Sequence, residues 1–246
     1  MFPRNPANPE AGLGLQTKNH DEPVKTNHQH TRVRNDLFNP KSGLDRGRSR
    51  SVEAVWYLIK CLIFLSPLPF PSSMKRTILR WFGAKIGKGV VIKPRVNIHL
   101  PWKLSVGDFT WIGEEVSILN FEQIAIGSHC CVSQRAFLCA GNHDYSIPNM
   151  CYRNDPITLQ DGVWVGAQSF VAPGVTISTD AVISAGSIVT RDQPAEMVCS
   201  GNPCLPIKNR WTGLPLRRPL AEPIPLTLSD LECEIERGDL QLAENG

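Results

Sequence analysis

The chain has 246 residues, of which 41% are hydrophobic, and this is enough for one sizeable core or one long repeat domain. Its formal net charge of +3 is too small to indicate nucleic acid as a partner. The eight cysteines are scattered and contain no CxxC pair, and residues 1–50 hold no apolar signal segment. We therefore expect a cytoplasmic protein with reduced thiols and no structural zinc site.

The N-terminal part of the chain divides into a polar extension and an apolar segment. Residues 1–50 are rich in Pro, Asn and His, a composition that predicts a disordered extension. Residues 51–84 are predicted to be helical, and they begin with an apolar run, AVWYLIKCLIFLSPLPF, which Lys60 interrupts and prolines end. A membrane-spanning helix needs about 20 apolar residues, so we do not expect this run to span a bilayer.

A short basic amphipathic helix is predicted next, over the stretch SSMKRTILRWFGAKIG. Its apolar and basic side chains allow two interpretations. The helix either covers the open end of a repeat domain or, together with the apolar run before it, brings residues 54–82 to a membrane surface.

Aliphatic residues recur every six positions through the middle of the chain, with a few slips. The positions are Ile86, Ile92, Ile98, Val106, Ile112, Ile118, Ile126, Val132, Leu138, Val165, Val171, Ile177, Ile183 and Val189. This period does not fit a single helix, but it fits a coil of three short strands whose small corner residues allow tight turns. We therefore predict an all-β repeat domain of about five coils over residues 85–208, with a Pro-rich and acidic tail over residues 209–246.

The six-residue pattern stops after Leu138 and returns only near Ile157. Residues 142–156 are therefore predicted to leave the coil as a loop, with His143 at its root. An imidazole can take a proton from an alcohol near neutral pH, which makes His143 a candidate general base. A solvated loop histidine without a chemical role is the other interpretation.

Three stretches resemble the hexapeptide-repeat acyltransferases: RWFGAKIGKGVVIKPRVNI, WIGEEVSILNFEQIAIGSHCCVSQRAFLCAGNHDYS and PITLQDGVWVGAQSFVAPGVTISTDAVISAGSIVTRDQPAEMVCSGNPCLPIK. Within that family, residues 80–208 are most similar to the maltose/galactoside O-acetyltransferases and the colanic-acid type of exopolysaccharide acetyltransferase. The resemblance implies a left-handed parallel β-helix, a homotrimer, acetyl-CoA as donor, no metal, and a sugar or lipid-linked oligosaccharide as acceptor. The enzyme would then work in the cytoplasm, at the inner face of the membrane if residues 54–82 contact it.

The resemblance also implies roles for particular residues. His143 would deprotonate a sugar hydroxyl while that hydroxyl attacks the thioester. The residues expected to contact the acceptor are Asn120, Asn142 and Asp144, although Asn120 and Asp144 could equally be turn residues. The residues expected to line the acetyl-CoA groove are Trp164, Ala167, Ala185, Thr190, Arg191 and Lys208. Ile118 stands where relatives can have tyrosine and Leu205 where they often have a basic residue, so contacts with the acceptor and with one phosphate should differ.

Three other interpretations remain open. A γ-type carbonic anhydrase would need three zinc-binding histidines, and the repeat region offers only His99, His129 and His143. A repeat scaffold without catalysis would use the flanks to recruit partners. In an acetyltransferase with a covalent intermediate, Cys139 or Cys151 would carry the acyl group. We also predict that the flanks are dispensable for the chemistry, so residues 72–212 should retain acetyl-CoA turnover with a soluble acceptor.

Overall fold

The six-residue repeats fold into very short strands. The computed structural model describes residues 32–214, and its strands are β1 (Lys85–Ile86), β2 (Val91–Ile92), β3 (Asn97–Ile98), β4 (Leu104–Val106), β5 (Trp111–Ile112), β6 (Ser117–Leu119), β7 (Ile124–Ile126), β8 (Cys131–Val132), β9 (Phe137–Cys139), β10 (Ile157–Leu159), β11 (Trp164–Val165), β12 (Phe170–Val171), β13 (Thr176–Ile177), β14 (Val182–Ile183), β15 (Ile188–Val189), β16 (Met197–Ser200) and β17 (Leu205–Asn209). They form sheet A (β1, β4, β7, β10, β13), sheet B (β2, β5, β8, β11, β14, β16) and sheet C (β3, β6, β9, β12, β15), and β17 pairs antiparallel with β16. The chain visits the three sheets in turn, so they make the three faces of a prism, as the spacing predicts.

The prism has about six turns, one more than the sequence predicts, because β16 adds a sixth parallel strand to sheet B. The inward position of this strand is Cys199, which is fully buried where the earlier turns have valine or isoleucine. The aliphatic pattern therefore does not reveal the last turn.

One continuous aliphatic core fills the prism. Ile112, Val132 and Val165 stack in successive turns of sheet B, and each is at most 1% exposed. Burying such a side chain contributes about 1.5–3 kcal/mol, and the stacked turns thereby stabilise strands of only two or three residues. The corners need small residues, because a Cβ at Gly166 would lie only 2.5 Å from the backbone nitrogen of Ala185.

The slips in the six-residue pattern all fall at the edge between sheets C and A, which we call the C–A edge. The first three turns cross it through residues 99–103, 120–123 and 140–156, whereas the next turn, from Val171 to Ile177, keeps the regular spacing. The three crossings are stacked, because the strands that precede them are neighbours in sheet C. The loop predicted at residues 142–156 is therefore the largest of three insertions on one edge.

Two helices close the N-terminal end of the prism: α1 (Arg50–Ile59), which continues into a π-helical turn (Lys60–Phe64), and α2 (Ser72–Trp81). Lys75 of α2 is fully buried, and its Nζ donates to the carbonyl oxygen of Lys93 at 2.9 Å. Two arginines of α2 also donate to carbonyl oxygens of the first turn, namely Arg76 to Val90 and Arg80 to Ile86. Because its basic side chains face the coil, α2 caps the open end, which was one of the two interpretations of this helix.

The apolar run contributes to the core rather than only to the surface. Trp56 of α1 is 2% exposed, and its indole nitrogen donates to the carbonyl oxygen of Ile98 at 3.1 Å. Phe64 is fully buried and meets the Trp56 ring edge-on at 5.2 Å. Over residues 32–214 we find no helix with the length and apolar character needed to cross a bilayer.

Part of the extension that was predicted to be disordered has a defined conformation. Residues 33–49, which we call the N-terminal segment, contain a 3₁₀ turn at Asn35–Leu37 and lead into α1. Leu44 is buried, and the indole nitrogen of Trp102 donates to the carbonyl oxygen of Arg46 at 2.6 Å. The sequence does not reveal this conformation, because isolated contacts rather than a periodic pattern hold the segment in place. The rest of the predicted extension, residues 1–31, and the part of the predicted tail beyond residue 214 lie outside the described residues.

Candidate functional site

The imidazole of His143 is held at the root of the longest C–A crossing. His143 forms an isolated antiparallel bridge with Tyr152, and its Nδ1 lies 2.6 Å from the carbonyl oxygen of Met150. Because a carbonyl oxygen can only accept a hydrogen bond, Nδ1 must carry the proton. In the neutral ring Nε2 then has a free lone pair, which is the form that a general base needs.

Two aromatic rings pack against this imidazole. Tyr152 stacks on His143 with ring centroids 4.9 Å apart, and Phe38 meets the imidazole edge-on at 5.3 Å. Phe38 also packs edge-on against Tyr152 at 5.3 Å, so the three rings support one another. Neither aromatic residue is among those predicted from the sequence. The position of Tyr152 inside the loop was a usable signal, whereas Phe38 lies in a stretch whose composition suggested disorder.

Hydrogen bonds fasten the N-terminal segment to the same loop. The backbone nitrogen of Arg34 donates to the carbonyl oxygen of Pro148 at 2.8 Å, and the side-chain amide of Asn154 donates to the carbonyl oxygen of Gly43 at 3.4 Å. Through these bonds and Phe38, the N-terminal segment supports the loop that carries His143. The expectation that residues 72–212 suffice for turnover therefore has no structural basis.

Asn120 has a structural role in this chain. Its side chain is fully buried in the second C–A crossing, where Oδ1 accepts from the backbone nitrogen of Leu100 at 2.9 Å and Nδ2 donates to the carbonyl oxygen of the same residue. Both polar ends of the amide are thus occupied in joining the first two crossings. This geometry favours the structural interpretation of Asn120 over contact with the acceptor, because no atom of its side chain reaches the surface.

Asn142 and Asp144 flank the imidazole and shape the root of the loop. Asn142 accepts through Oδ1 from the backbone nitrogen of His143 at 2.8 Å. Asp144 accepts through Oδ1 from the hydroxyl and the backbone nitrogen of Ser146, and these hydrogen bonds lower the pKa of its carboxyl group. This geometry favours the turn interpretation of Asp144. Any contact that either residue makes with an acceptor would come in addition to these bonds.

Three of the residues predicted to bind the donor lie away from His143 within one chain. Trp164 points outward from sheet B, is 48% exposed and donates from Nε1 to Oγ of Ser133 at 2.9 Å. Ala167 and Ala185 occupy equivalent corners of successive turns between sheets B and C. In a three-sided prism, sheet B is the face opposite the C–A edge, so one chain does not bring Trp164 to His143.

The remaining predicted donor residues are exposed near the C-terminal end of the prism. Thr190 and Arg191 follow β15 at the end of sheet C, whereas Lys208 belongs to β17 at the end of sheet B. Leu205, at the position where relatives often have a basic residue, is 41% exposed. These side chains are therefore accessible, and they are divided between two faces.

Cys139 lies just before the loop, but its surroundings do not favour a nucleophile. The side chain is 8% exposed, and Sγ donates to the carbonyl oxygen of Gly141 at 3.1 Å. Burial raises the pKa of this thiol, so the thiol and not the reactive thiolate predominates at neutral pH. Cys139 is thus better described as a buried packing residue than as an acyl carrier.

The three histidines of the repeat region have separate surroundings. His99 packs edge-on against Phe121 at 6.0 Å, and His129 stacks on Phe109 at 5.4 Å on the corner between sheets A and B. Within the part of the chain that the structure describes, no three His, Cys, Asp or Glu side chains are grouped as metal ligands.

Comparison with known proteins identifies relatives of the whole repeat region. The chain is 38% identical over 173 residues to an Escherichia coli protein described as a candidate colanic acid biosynthesis acetyltransferase, WcaF, and the match covers 70% of this chain and 94% of that protein. It is also 26% identical over 145 residues to galactoside O-acetyltransferase of Escherichia coli, which covers 57% of this chain and 70% of that enzyme. No protein-family profile matches the chain.

Solved structures with the same fold confirm the left-handed parallel β-helix. A hexapeptide-repeat acetyltransferase of Vibrio cholerae in complex with acetyl-CoA superposes with a TM-score of 0.59 at 21% identity, over 65% of this chain and 87% of that one. A maltose O-acetyltransferase of Clostridium difficile superposes with a TM-score of 0.56 at 25% identity, over 65% of this chain and 89% of that one. With a relative matched over nearly its full length and a shared fold, the chain belongs to the family of hexapeptide-repeat acetyltransferases.

Proposed function

We propose that the protein is an O-acetyltransferase that moves an acetyl group from acetyl-CoA to a sugar hydroxyl, in the synthesis of an exopolysaccharide or another cell-surface polysaccharide. The observation that carries this proposal is the fixed imidazole of His143, whose Nε2 is free to take a proton. The names of the relatives, WcaF and galactoside O-acetyltransferase, support the reaction and the sugar acceptor. The Vibrio cholerae structure with acetyl-CoA supports the donor.

The proposed reaction is a direct transfer without an acetylated enzyme. Nε2 of His143 takes the proton of the sugar hydroxyl while the hydroxyl oxygen attacks the thioester carbonyl carbon. The carbon–sulfur bond then breaks, and the leaving thiolate of coenzyme A takes the proton from the imidazolium. The hydrogen bond from Nδ1 to Met150 holds the ring in place through both proton transfers.

We propose further that the active enzyme is a homotrimer with sites between neighbouring prisms. His143 lies on the C–A edge and Trp164 on the opposite face, so a single chain cannot complete a site from both residues. In a cyclic trimer, the C–A edge of one prism can face sheet B of the next, and three equivalent sites result. In this arrangement Trp164, Ala167 and Ala185 of one subunit would line the donor groove beside His143 of its neighbour, with Thr190, Arg191 and Lys208 toward the phosphate end.

The proposed activity can be tested with acetyl-CoA and a panel of mono- and oligosaccharides, by thiol release and by mass spectrometry of the products. The expected result is acetyl transfer to at least one sugar hydroxyl, with no hydrolysis of acetyl-CoA at a comparable rate when sugar is absent. Tight binding of acetyl-CoA without transfer to any glycan would instead indicate a scaffold that has lost catalysis.

We also propose that the protein works in the cytoplasm and that α1 rests against the membrane surface. Along α1 and the turn that follows it, apolar side chains are exposed to solvent: Val55, Leu58, Leu62, Leu65 and Leu68. Arg48, just before the same helix, is exposed and could approach anionic headgroups. Such a position would bring His143 near lipid-linked glycans.

Replacing Leu58 and Leu62 together by aspartate should weaken binding to anionic vesicles about tenfold or more, because two exposed leucines are removed from the contact and two negative charges are added. Vesicle co-sedimentation at low salt measures this effect. Leu214→Asp, at a leucine that is 67% exposed at the other end of the described chain, is the matched control. If the wild-type protein does not bind the vesicles, the proposal is wrong. If the double variant loses its oligomeric state instead, the apolar face is a subunit contact.

A further inference from the structure

A groove of about 490 Å³ lies between α1 and the C–A edge, beside the site described above. α1 forms one wall, and the first two crossings form the other through His99, Leu100 and Phe121. The ring of Phe121 lies 5.8 Å from that of Tyr152, which stacks on His143. The groove therefore ends one aromatic ring away from the proposed general base.

The charged groups that line this groove are mostly cationic. They are Arg46, Arg50 and Lys60, against the single carboxylate of Glu53. Arg46 pairs with Oε2 of Glu53 at 2.7 Å. Oε1 of Glu53 is buried without a hydrogen-bond partner among residues 32–214, and the same part of the chain supplies no ion pair for Arg50 or Lys60. The groove thus has an excess of positive charge.

Lys60 is the least expected of these groups, because it is only 7% exposed. Its Nζ makes no hydrogen bond with the residues that the structure describes, and it lies 5.3 Å from the centroid of the Tyr57 ring. Burial lowers the pKa of His99, and the nearby charge of Lys60 lowers it further, so His99 is neutral. Burial also lowers the pKa of Lys60, and an anion beside its Nζ would favour the charged form. Nζ has no acceptor among the described residues, and an oxyanion in the groove would accept its hydrogen bonds in place of water.

We propose that this groove binds an anionic sugar residue of the acceptor glycan, whose carboxylate or phosphate oxygens accept hydrogen bonds from Lys60 and Arg50. The ring of Tyr57, which is 64% exposed, forms an aromatic wall beside the bound sugar. The neighbouring sugar of the glycan then extends past Phe121 toward His143. This inference rests on the proposed function, and it specifies the charge of the acceptor.

Binding measurements test the inference without requiring catalysis. The probes are two matched pairs. Cellobiouronic acid and cellobiose differ in one carboxylate, and glucose 1-phosphate and glucose differ in one phosphate. We expect the wild-type protein to bind one of the charged probes at least about 10-fold more tightly than its neutral partner, and the pair that shows the difference identifies a uronate or a phosphate. Equal affinities within both pairs would overturn the inference.

Variants show whether the groove is responsible. Lys60→Met keeps most of the side-chain volume, and Arg50→Gln changes an exposed residue whose side chain makes no hydrogen bond or ion pair within residues 32–214. Each should weaken binding of the charged probe about 10-fold and leave its neutral partner unchanged. Lys88→Met, at a lysine whose side chain is 74% exposed on another corner, is the matched control and should change neither affinity. An equal loss in Lys88→Met, or no loss in both groove variants, would contradict the assignment.

Acetyl-transfer kinetics separate this inference from the proposed function. With a charged acceptor, Lys60→Met should raise the KM for that acceptor about 10-fold while kcat and the KM for acetyl-CoA stay the same. Acetylation of charged and neutral acceptors with equal kcat/KM would support the proposed function and overturn the role of the groove. Charge-dependent binding without acetylation of any glycan would support the role of the groove and overturn the proposed function. Thermal melting of Lys60→Met and Arg50→Gln checks that both variants are folded.

Discussion

Replacing His143 by alanine should lower kcat by about 100- to 10,000-fold, because the sugar hydroxyl then loses the group that takes its proton. The affinity for acetyl-CoA should change little, since Trp164, Ala167 and Ala185 lie on another face of the prism and the substitution does not touch them. Steady-state thiol release measures kcat, and calorimetry measures acetyl-CoA binding. An oligomeric His143→Ala protein with wild-type turnover would contradict the mechanism.

Substitution by asparagine separates the chemistry from the structure of the loop. In His143→Asn, the side-chain amide can still donate to the carbonyl oxygen of Met150, but it has no basic nitrogen in the place of Nε2. Because nothing then takes the proton of the sugar hydroxyl, activity should fall as far as in the alanine variant. The control is His129→Asn, which makes the same change at an exposed histidine on another corner. Asparagine tolerates the positive φ of 57° observed there, so this variant should fold and keep the wild-type kcat. Acetyl groups that accumulate on Cys139 or Cys151 with acetyl-CoA alone would indicate a covalent intermediate instead.

A chain that starts at residue 72 should fail to fold cooperatively, in contrast to the expectation from sequence. This deletion removes Trp56 and Phe64, both buried in the common core. Losing a buried aromatic side chain costs about 3–5 kcal/mol, and two such losses are comparable to the whole stability of a typical domain, about 5–15 kcal/mol. Chemical denaturation followed by circular dichroism should show a broad transition or none.

Two controls sharpen this prediction. A chain that starts at residue 33 retains every contact that the structure describes for the N-terminal segment and should melt like the full chain. Trp56→Ala should reduce the free energy of unfolding by about 3–5 kcal/mol, whereas Trp81→Ala, at a tryptophan that is 79% exposed, should change it by less than about 1 kcal/mol. A folded and fully active chain of residues 72–212 would show that α1 and the N-terminal segment are accessory.

The sequence predicts the repeat fold well because its period is a direct consequence of the geometry. One residue in every six points into the prism and must be apolar, so the pattern locates the strands. Its slips locate the edge that carries His143. The pattern fails where the inward residue is not aliphatic. Cys199 fills that position in β16, and the last turn was therefore not counted.

The surroundings of His143 could not be predicted in the same way. Phe38 reaches the imidazole from a distant part of the sequence, through a segment without periodicity whose bonds to the loop are mostly made by backbone atoms. The burial of Asn120 depends on a second insertion stacking over the first, and this places both ends of its amide against the backbone of Leu100. Lys60 appeared to interrupt an apolar run, and only the structure shows that it faces a groove.

The central claim is that each active site combines His143 of one subunit with the donor groove of another. It is tested most directly by co-expressing His143→Ala with Ala185→Trp, whose indole should block the groove at an exposed corner. Each homotrimer should be inactive. In randomly mixed trimers, one interface in four joins an intact His143 to an intact groove, so we expect about a quarter of the wild-type rate. If both elements came from one chain, every subunit would carry a defect, and the mixture would have no activity above that of the two parent variants.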